Sequence, residues 1–324
     1  MYSASVNRYE DMYYRRCGNS GLLVSEMSLG LWSDFWHKEN LESSKNIVHT
    51  AFDNGITHFD LANNKASILN TAEEKFGVIF RRSFFNHRDE FIISTKANCE
   101  IQHVSEKDLI ASLDQSLKRL GVGYIDIFYV DNLSSEIALE ETMATLDLIV
   151  RQGKALYVGV SFSSVEEFKN VSNSIRTIGT RHLIYQPKFN IMDSWAETKL
   201  IDDLKDEGVI CVPFSSLEQK IFSSKYSKEA STDLNNEKKS ECSQLDSLTT
   251  ENIKRAKLLN NIANSRNQSL AQMTIAWLLK DKDVSSVLVG VSSENQLLEN
   301  INALENKIFS LEEREVIVAI LKRS

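Results

Sequence analysis

Phe91-Ile-Ile-Ser-Thr-Lys96, Tyr124-Ile-Asp-Ile-Phe-Tyr-Val130 and Ala155-Leu-Tyr-Val-Gly-Val-Ser161 are three short runs, rich in β-branched and aromatic residues, that decide the fold. Each is too short for a helix and is bounded by helix punctuation, so each reads as a strand. Between the first two, Ser105 with Asp108 forms a variant of the capping box, and Gly121 stands where a helix closes. Before the third, Gly153 ends another apolar-periodic segment. Strands that alternate with helices in this way imply a parallel sheet.

Working outward, the same unit recurs. Upstream lie Glu26–Gly30 and Thr57–Asp60; downstream lie Leu183–Gln186, Val209–Ser215 and Ser285–Val291. Thr71 with Glu74, Ser164 with Glu167 and Ser310 with Glu313 mark further helix starts, and Gly55 and Gly208 further helix ends. A hairpin of Tyr13–Arg16, the turn Gly18–Gly21 and Leu22–Val24 precedes the first unit. Eight parallel strands close a barrel, so the expected fold is α/β, a (β/α)₈ TIM barrel with an N-terminal β-hairpin. Helices near Glu251–Ser265 and Leu270–Leu279 lead into the last strand. An extra C-terminal helix over Leu311–Arg323, with Leu311, Val316, Val318 and Leu321 among its apolar positions, is expected on the barrel exterior. The polar segment 222–250 is too long for an ordinary connection and reads as a lid or a mobile loop.

Composition bounds the function. The chain has 324 residues, a length that suits one barrel domain over 1–324 better than two small domains. No apolar run approaches the ~20 residues of a membrane span, so no membrane insertion is expected. Met1–Arg16 carries charges of both signs and no apolar stretch, which gives the expectation of a cytoplasmic protein without a secretory signal. Cys17, Cys99, Cys211 and Cys242 are scattered without a Cys-x-x-Cys pair, a pattern of reduced thiols rather than a disulfide frame or zinc site, and no metal is expected. A net charge of -8 argues against a nucleic-acid partner.

In such barrels the chemistry sits at the C-terminal ends of the strands. That geometry nominates Asp60, Lys96, Asp131, Ser161, Gln186, Phe214 and the turn Gly290–Ser292, with Lys65 following Asp60 in the second loop.

Asp60-Leu-Ala-Asn-Asn64, Leu139-Glu-Glu-Thr-Met143, Gly153-Lys-Ala-Leu-Tyr-Val-Gly159, Gln186-Pro-Lys188 and Gly290-Val-Ser292 with Gln296 and Asn300 follow one another in an order that resembles the aldo-keto reductases over nearly the whole chain. Tyr14–Arg16 and Leu29–Trp32 are similar to the opening of the branch that contains the potassium-channel β subunits and related bacterial reductases. The resemblance implies carbonyl reduction by hydride from a nicotinamide, with a Tyr proton donor assisted by Lys and Asp and accompanied by a His. A phenol of pKa ~10 is a poor acid at neutral pH, and a neighbouring ammonium is what favours its phenolate. Asp60 and Lys96 match the Asp and Lys positions. The Tyr position holds Lys65 and the His position holds Asp131.

The same resemblance assigns Ser161, Gln186 and Phe214 to the nicotinamide, and Trp32 to the substrate side of that pocket. Phe162 stands where the family has Asn. Ser215 and Leu217 fall in the diphosphate loop, where the family's closing Gly is Lys220 and Glu218 adds repulsion. Lys225 matches a phosphate-binding lysine, and Gly290, Ser292, Gln296 and Asn300 match the adenosine-phosphate segment, whose helix starts near Ser293. The implied cofactor is NADP(H), weakly held, and the substrate a small carbonyl compound. The resemblance also implies a homo-oligomer. The expected function is a reductase fold with a degenerate catalytic tetrad and little ordinary reductase activity. The alternatives are a competent reductase in which Lys65 or a water donates the proton, an amine at Lys65 that forms a Schiff base, and a nicotinamide-sensing binding protein.

Overall fold

The computed structural model of the chain describes residues 2–18, 20–31, 40–61, 72–97, 105–131, 139–162, 183–187, 191, 210–213 and 250–322. In chain order these residues form β1 (Tyr14–Arg16), β2 (Leu23–Ser25), β3 (Met27–Gly30), α1 (Leu41–Asp53), β4 (His58–Asp60), α2 (Ala72–Ser83), β5 (Ile92–Lys96), α3 (Glu106–Leu120), β6 (Ile125–Asp131) and α4 (Leu139–Arg151). They continue with β7 (Ala155–Phe162), β8 (Leu183–Pro187), β9 (Ile210–Cys211), α5 (Thr250–Ser265), α6 (Leu270–Leu279), β10 (Val287–Gly290), α7 (Glu294–Ile301) and α8 (Leu311–Leu321).

β1 and β2 pair as an antiparallel hairpin, and the other eight strands form one parallel sheet in the order β10-β3-β4-β5-β6-β7-β8-β9. The sheet closes on itself. Cys211 bridges Val284 in parallel register, and the backbone N–H groups of Ser285 and Leu288 donate to the carbonyls of Cys211 (2.9 Å) and Pro213 (3.0 Å). The barrel read from the sequence is therefore present, with all eight strands within a few residues of their expected limits. The expected seventh strand, Val209–Ser215, is strand only at Ile210–Cys211 among its described residues.

Side chains alternate across each strand, as the two-residue period of a strand requires. One set packs outward against the helices, including Leu29, Phe59, Ile93, Phe128 and Val160. The other set faces the interior. Ile92, Ile127, Tyr129, Ile184, Val212 and Leu288 fill it, with Cys17 and Val24 of the hairpin region closing the end from which the strands start. Gly159 belongs to this tight lining, since a Cβ there would come 2.3 Å from the Tyr129 ring and 2.8 Å from the Ile184 carbonyl oxygen. Arg15 fastens the hairpin by donating to the carbonyls of Leu279, Asp281 and Val284 and to Glu26.

Helix boundaries follow local chemistry. Ser105 with Asp108 and Ser310 with Glu313 make complete capping boxes, as does Ser269 with Gln272. Gly55, Gly121 and Gly153 take the left-handed conformation expected after a helix. The boxes expected at Thr71 and Ser164, the glycine at 208 and the segment 222–249 lie outside the described residues. The expected C-terminal helix is α8, and its packing selects among its apolar positions. On α8 the buried face is Ile317, Ile320 and Leu321, whereas Leu311 and Val316 are exposed. The helix packs with α5 and α6, through Leu259, Ala263, Met273 and Trp277, so its apolar stripe is set by those two helices.

Candidate active site

The C-terminal ends of the strands bring together the residues whose types carry chemistry. Asp60 ends β4 and Lys96 ends β5. The Asp60 side chain is fully buried, and Lys96 Nζ lies 3.5 Å from its Oδ2. The other carboxylate oxygen, Oδ1, accepts a hydrogen bond from Ser94 Oγ at 2.5 Å. A buried ion pair is worth keeping only when its remaining polar atoms are satisfied, and Ser94 meets that need on one side.

Beneath Asp60 the polar chain continues. Ser94 Oγ lies 2.9 Å from His58 Nε2, His58 Nδ1 lies 2.8 Å from Ser28 Oγ, and Ser28 Oγ lies 2.6 Å from Ser286 Oγ. All of these side chains are buried. Burial pushes the His58 imidazole down to about 4, with Asp60 opposing the shift and Lys96 adding to it, so the ring is neutral at ordinary pH. The sequence reading missed His58, Ser94, Ser28 and Ser286. The signal was there in the strands, where His58 alternates with Asp60 and Ser94 with Lys96, two polar pairs on one face of apolar runs.

On the far side of the mouth, Asp131, Ser161 and Gln186 stand in one register row across β6, β7 and β8. Only the backbone of Asp131 is described. Ser161 is half-buried, and Gln186 is buried with neither its Oε1 nor its Nε2 in a hydrogen bond. An unpaired buried amide costs about 1–3 kcal/mol, so this carboxamide is poised for a partner. Completing the ring of strand ends, Gly290 pairs with Gly30 and Gly30 with Asp60. Beyond it, Ser293 caps α7 by accepting from the Gln296 N–H, while Gln296 Oε1 accepts from the Ser292 N–H (2.8 Å) and Oγ (3.0 Å). Asn300 is buried on the same helix. Trp32, Lys65, Phe214, Ser215, Leu217 and Lys225 lie outside the described residues, so the structure assembles Asp60, Lys96, Ser161, Gln186, Gly290, Ser292, Gln296 and Asn300 and leaves those six as sequence positions.

Other reactive types are spoken for. Cys17 is buried and its thiol pushed up to about 12 by that burial, and the Cys211 thiol is also raised by burial. Among the described residues no group of three His, Cys, Asp or Glu side chains suits a metal ion, and no helix is long and apolar enough to cross a membrane.

Comparison with known proteins matches residues 26–322 to the Aldo/keto reductase family. The chain is 43% identical over 320 residues to the L-glyceraldehyde 3-phosphate reductase of Escherichia coli strain K12, covering 96% of this chain and 92% of that protein. It is 29% identical over 308 residues to a probable voltage-gated potassium channel subunit beta of Oryza sativa subsp. japonica, covering 91% and 92%. A similar subunit of Arabidopsis thaliana is 28% identical over 305 residues, with the same coverage.

Proposed function

We propose, for a chain that belongs to the aldo/keto reductase family, that its barrel mouth is a nicotinamide site from which the usual proton donor has been lost. The observation that carries this reading is a mismatch within one site. The lower part is kept: the Asp60–Lys96 pair is buried at 3.5 Å and the Gln186 carboxamide stands unpaired beside Ser161. By resemblance, the position of the phenol falls on Lys65 and that of the imidazole on Asp131.

The residues present fit the cofactor. The Gln186 amide has a donor and an acceptor free, the complement of a nicotinamide carboxamide, and Ser161 is its register neighbour. Gly290, Ser292, Gln296 and Asn300 stand at the start of α7 for the adenosine end, with Lys225 as a further phosphate contact. Trp32, Phe214, Ser215 and Leu217 complete the pocket by resemblance. When bound, NADPH supplies hydride to a carbonyl carbon. The protein then has to deliver a proton to the carbonyl oxygen and stabilise its charge. Lys96 still provides a positive charge. Lys65 is a poor substitute for a phenol, because its ammonium would enter a cavity that already holds Lys96, and like charges disfavour each other there. In the diphosphate loop the glycine replaced by Lys220 and the charge of Glu218 weaken the hold on the cofactor, while the positive charges of Lys220 and Lys225 act in its favour.

The substrate class is a small carbonyl compound, and the E. coli relative makes L-glyceraldehyde 3-phosphate the first to try. The test is an NADPH titration followed by NADPH oxidation with L-glyceraldehyde 3-phosphate and a panel of aldehydes, for the native chain and for Lys65→Tyr. The expected result is binding with little turnover, and a gain of the order of 10²-fold in the variant, the scale of one general acid. A native chain as fast as Lys65→Tyr would remove the lost-donor reading, and absence of NADPH binding would remove the nicotinamide site.

A further inference from the structure

The polar chain under Asp60 has a direction that its own chemistry fixes. A carboxylate oxygen only accepts, so the 2.5 Å contact makes Ser94 Oγ the donor to Asp60 Oδ1. A hydroxyl has one hydrogen. With it spent on Asp60, Ser94 Oγ accepts from His58, and Nε2 therefore carries the ring proton. The neutral ring has no second proton, so Nδ1 accepts from Ser28 Oγ, and Ser28 in turn accepts from Ser286. Every hydrogen bond from Ser286, the residue before β10, through β3, β4 and β5 thus points toward one carboxylate, and hydrogen bonds aligned in series polarise one another.

We propose that His58 is a positioning residue of this site: held as the Nε2–H tautomer, it aims the Ser94 hydroxyl at Asp60 Oδ1 and so turns Oδ2 toward the Lys96 ammonium. The proposal rests on the reading of Asp60 and Lys96 as part of the functional site. Its physical content is that the ion pair at the mouth is set from inside the barrel. Without a donor on Oδ1, the Asp60 side chain is free to rotate and the 3.5 Å approach to Lys96 is no longer imposed. The Lys96 ammonium supports the direction of the chain, since it pairs with a carboxylate and not with a carboxylic acid. Were Asp60 the donor, every bond would reverse and His58 would carry its proton on Nδ1.

The first test needs no variant. With ¹⁵N-labelled histidine in the full chain at neutral pH, long-range ¹H–¹⁵N correlation reads which nitrogen of His58 is protonated. Protonated Nε2 and bare Nδ1 are expected, whereas protonated Nδ1, or a mixture of tautomers, overturns the proposal. In Asp60→Asn the side chain offers a donor as well as an acceptor, and the second tautomer is expected to appear; a spectrum unchanged from native shows that Asp60 does not set the tautomer. The second test separates positioning from space filling. Lys96 is reductively methylated and its modification rate followed by mass spectrometry in native, His58→Leu and His58→Gln chains. His58→Leu keeps the bulk without the polarity and is expected to speed modification by about tenfold, the equivalent of one hydrogen bond to a charged group. His58→Gln retains a donor and an acceptor and is expected to restore the native rate, and equal rates in the two variants reduce His58 to filler. An NADPH titration of the native chain runs alongside. No binding with an intact Nε2–H signal defeats the nicotinamide reading alone, while binding with the reversed tautomer defeats only the positioning role.

Discussion

At the residue scale, Gln186 shows what the proposed nicotinamide site would cost the fold. Its amide is buried on β8 with both polar atoms unpaired, in a barrel interior that also holds the apolar side chains of Ile184, Val212 and Leu288. Such a group is worth about 1–3 kcal/mol of lost stability until something pairs with it. Gln186→Leu is therefore expected to raise the urea midpoint by an amount equivalent to about 1 kcal/mol and to abolish NADPH binding in the same preparation. A variant that is less stable than native, or that binds NADPH unchanged, would show that Gln186 is a packing residue. Lys65→Tyr asks the complementary question of the proposed lost donor, whether a phenol at that sequence position brings turnover. On the proposed reading the two substitutions are independent, because one acts on binding and the other on proton delivery.

Among the elements, α2, α3 and β5 are tied by one buried acid. Glu73 on α2 is fully buried and accepts from Arg119 Nε on α3 (2.5 Å) and from Thr95 Oγ1 on β5 (2.6 Å). Thr95 is the residue before Lys96, so this knot holds the strand end that presents the ammonium. Removing one partner of a buried pair strands the other charge, and Arg119→Ala is expected to cost about 3–5 kcal/mol in chemical unfolding. Glu73→Gln with Arg119→Ala together should cost much less than the sum, and additive losses would mean that the two groups do not act as a pair. The strands and caps near this knot were legible in sequence because their causes are local. Ser105 and Asp108 cap each other within one turn, and Gly121 follows directly. The partner of Glu73 was not legible, since Arg119 is 46 positions away and only the packing of α2 on α3 brings it near. The face of α8 was not legible for the same reason. Leu311 and Val316 are apolar but exposed, whereas Ile317, Val318, Ile320 and Leu321 pack with α5 and α6.

At the scale of the whole molecule the same division holds: parallel order and barrel closure follow from the strand count, while the polar chain inside depends on residues as far apart as Ser28 and Ser286. That interior has a consequence for acid stability. His58 is enclosed by Ser28, Ser94, Asp60 and the Lys96 ammonium, and burial lowers it from 6.5 to about 4. An unfolded chain protonates this ring from about pH 6.5 downward, and the folded chain does so only near 4. Its contribution is therefore complete above pH 6.5 and is lost as the pH falls toward 4. A displacement of that size corresponds to the order of 3 kcal/mol. Glu90 acts lower on the scale. Burial works against its charge, but hydrogen bonds from Arg8, Tyr9 and His87 outweigh burial and pull it from 4.5 to about 2, so its contribution is lost between those values. Urea unfolding measured from pH 8 to 3 should thus fall in two stages, the upper one from His58 together with His49, whose imidazole burial also lowers. His58→Gln has no ring to protonate there, and its unfolding free energy is expected to decline less steeply between pH 6.5 and 4.5 than that of the native chain, with His49 left to titrate. The same slope in both chains would place the upper titration on another group and return His58 to the ordinary range of an accessible histidine.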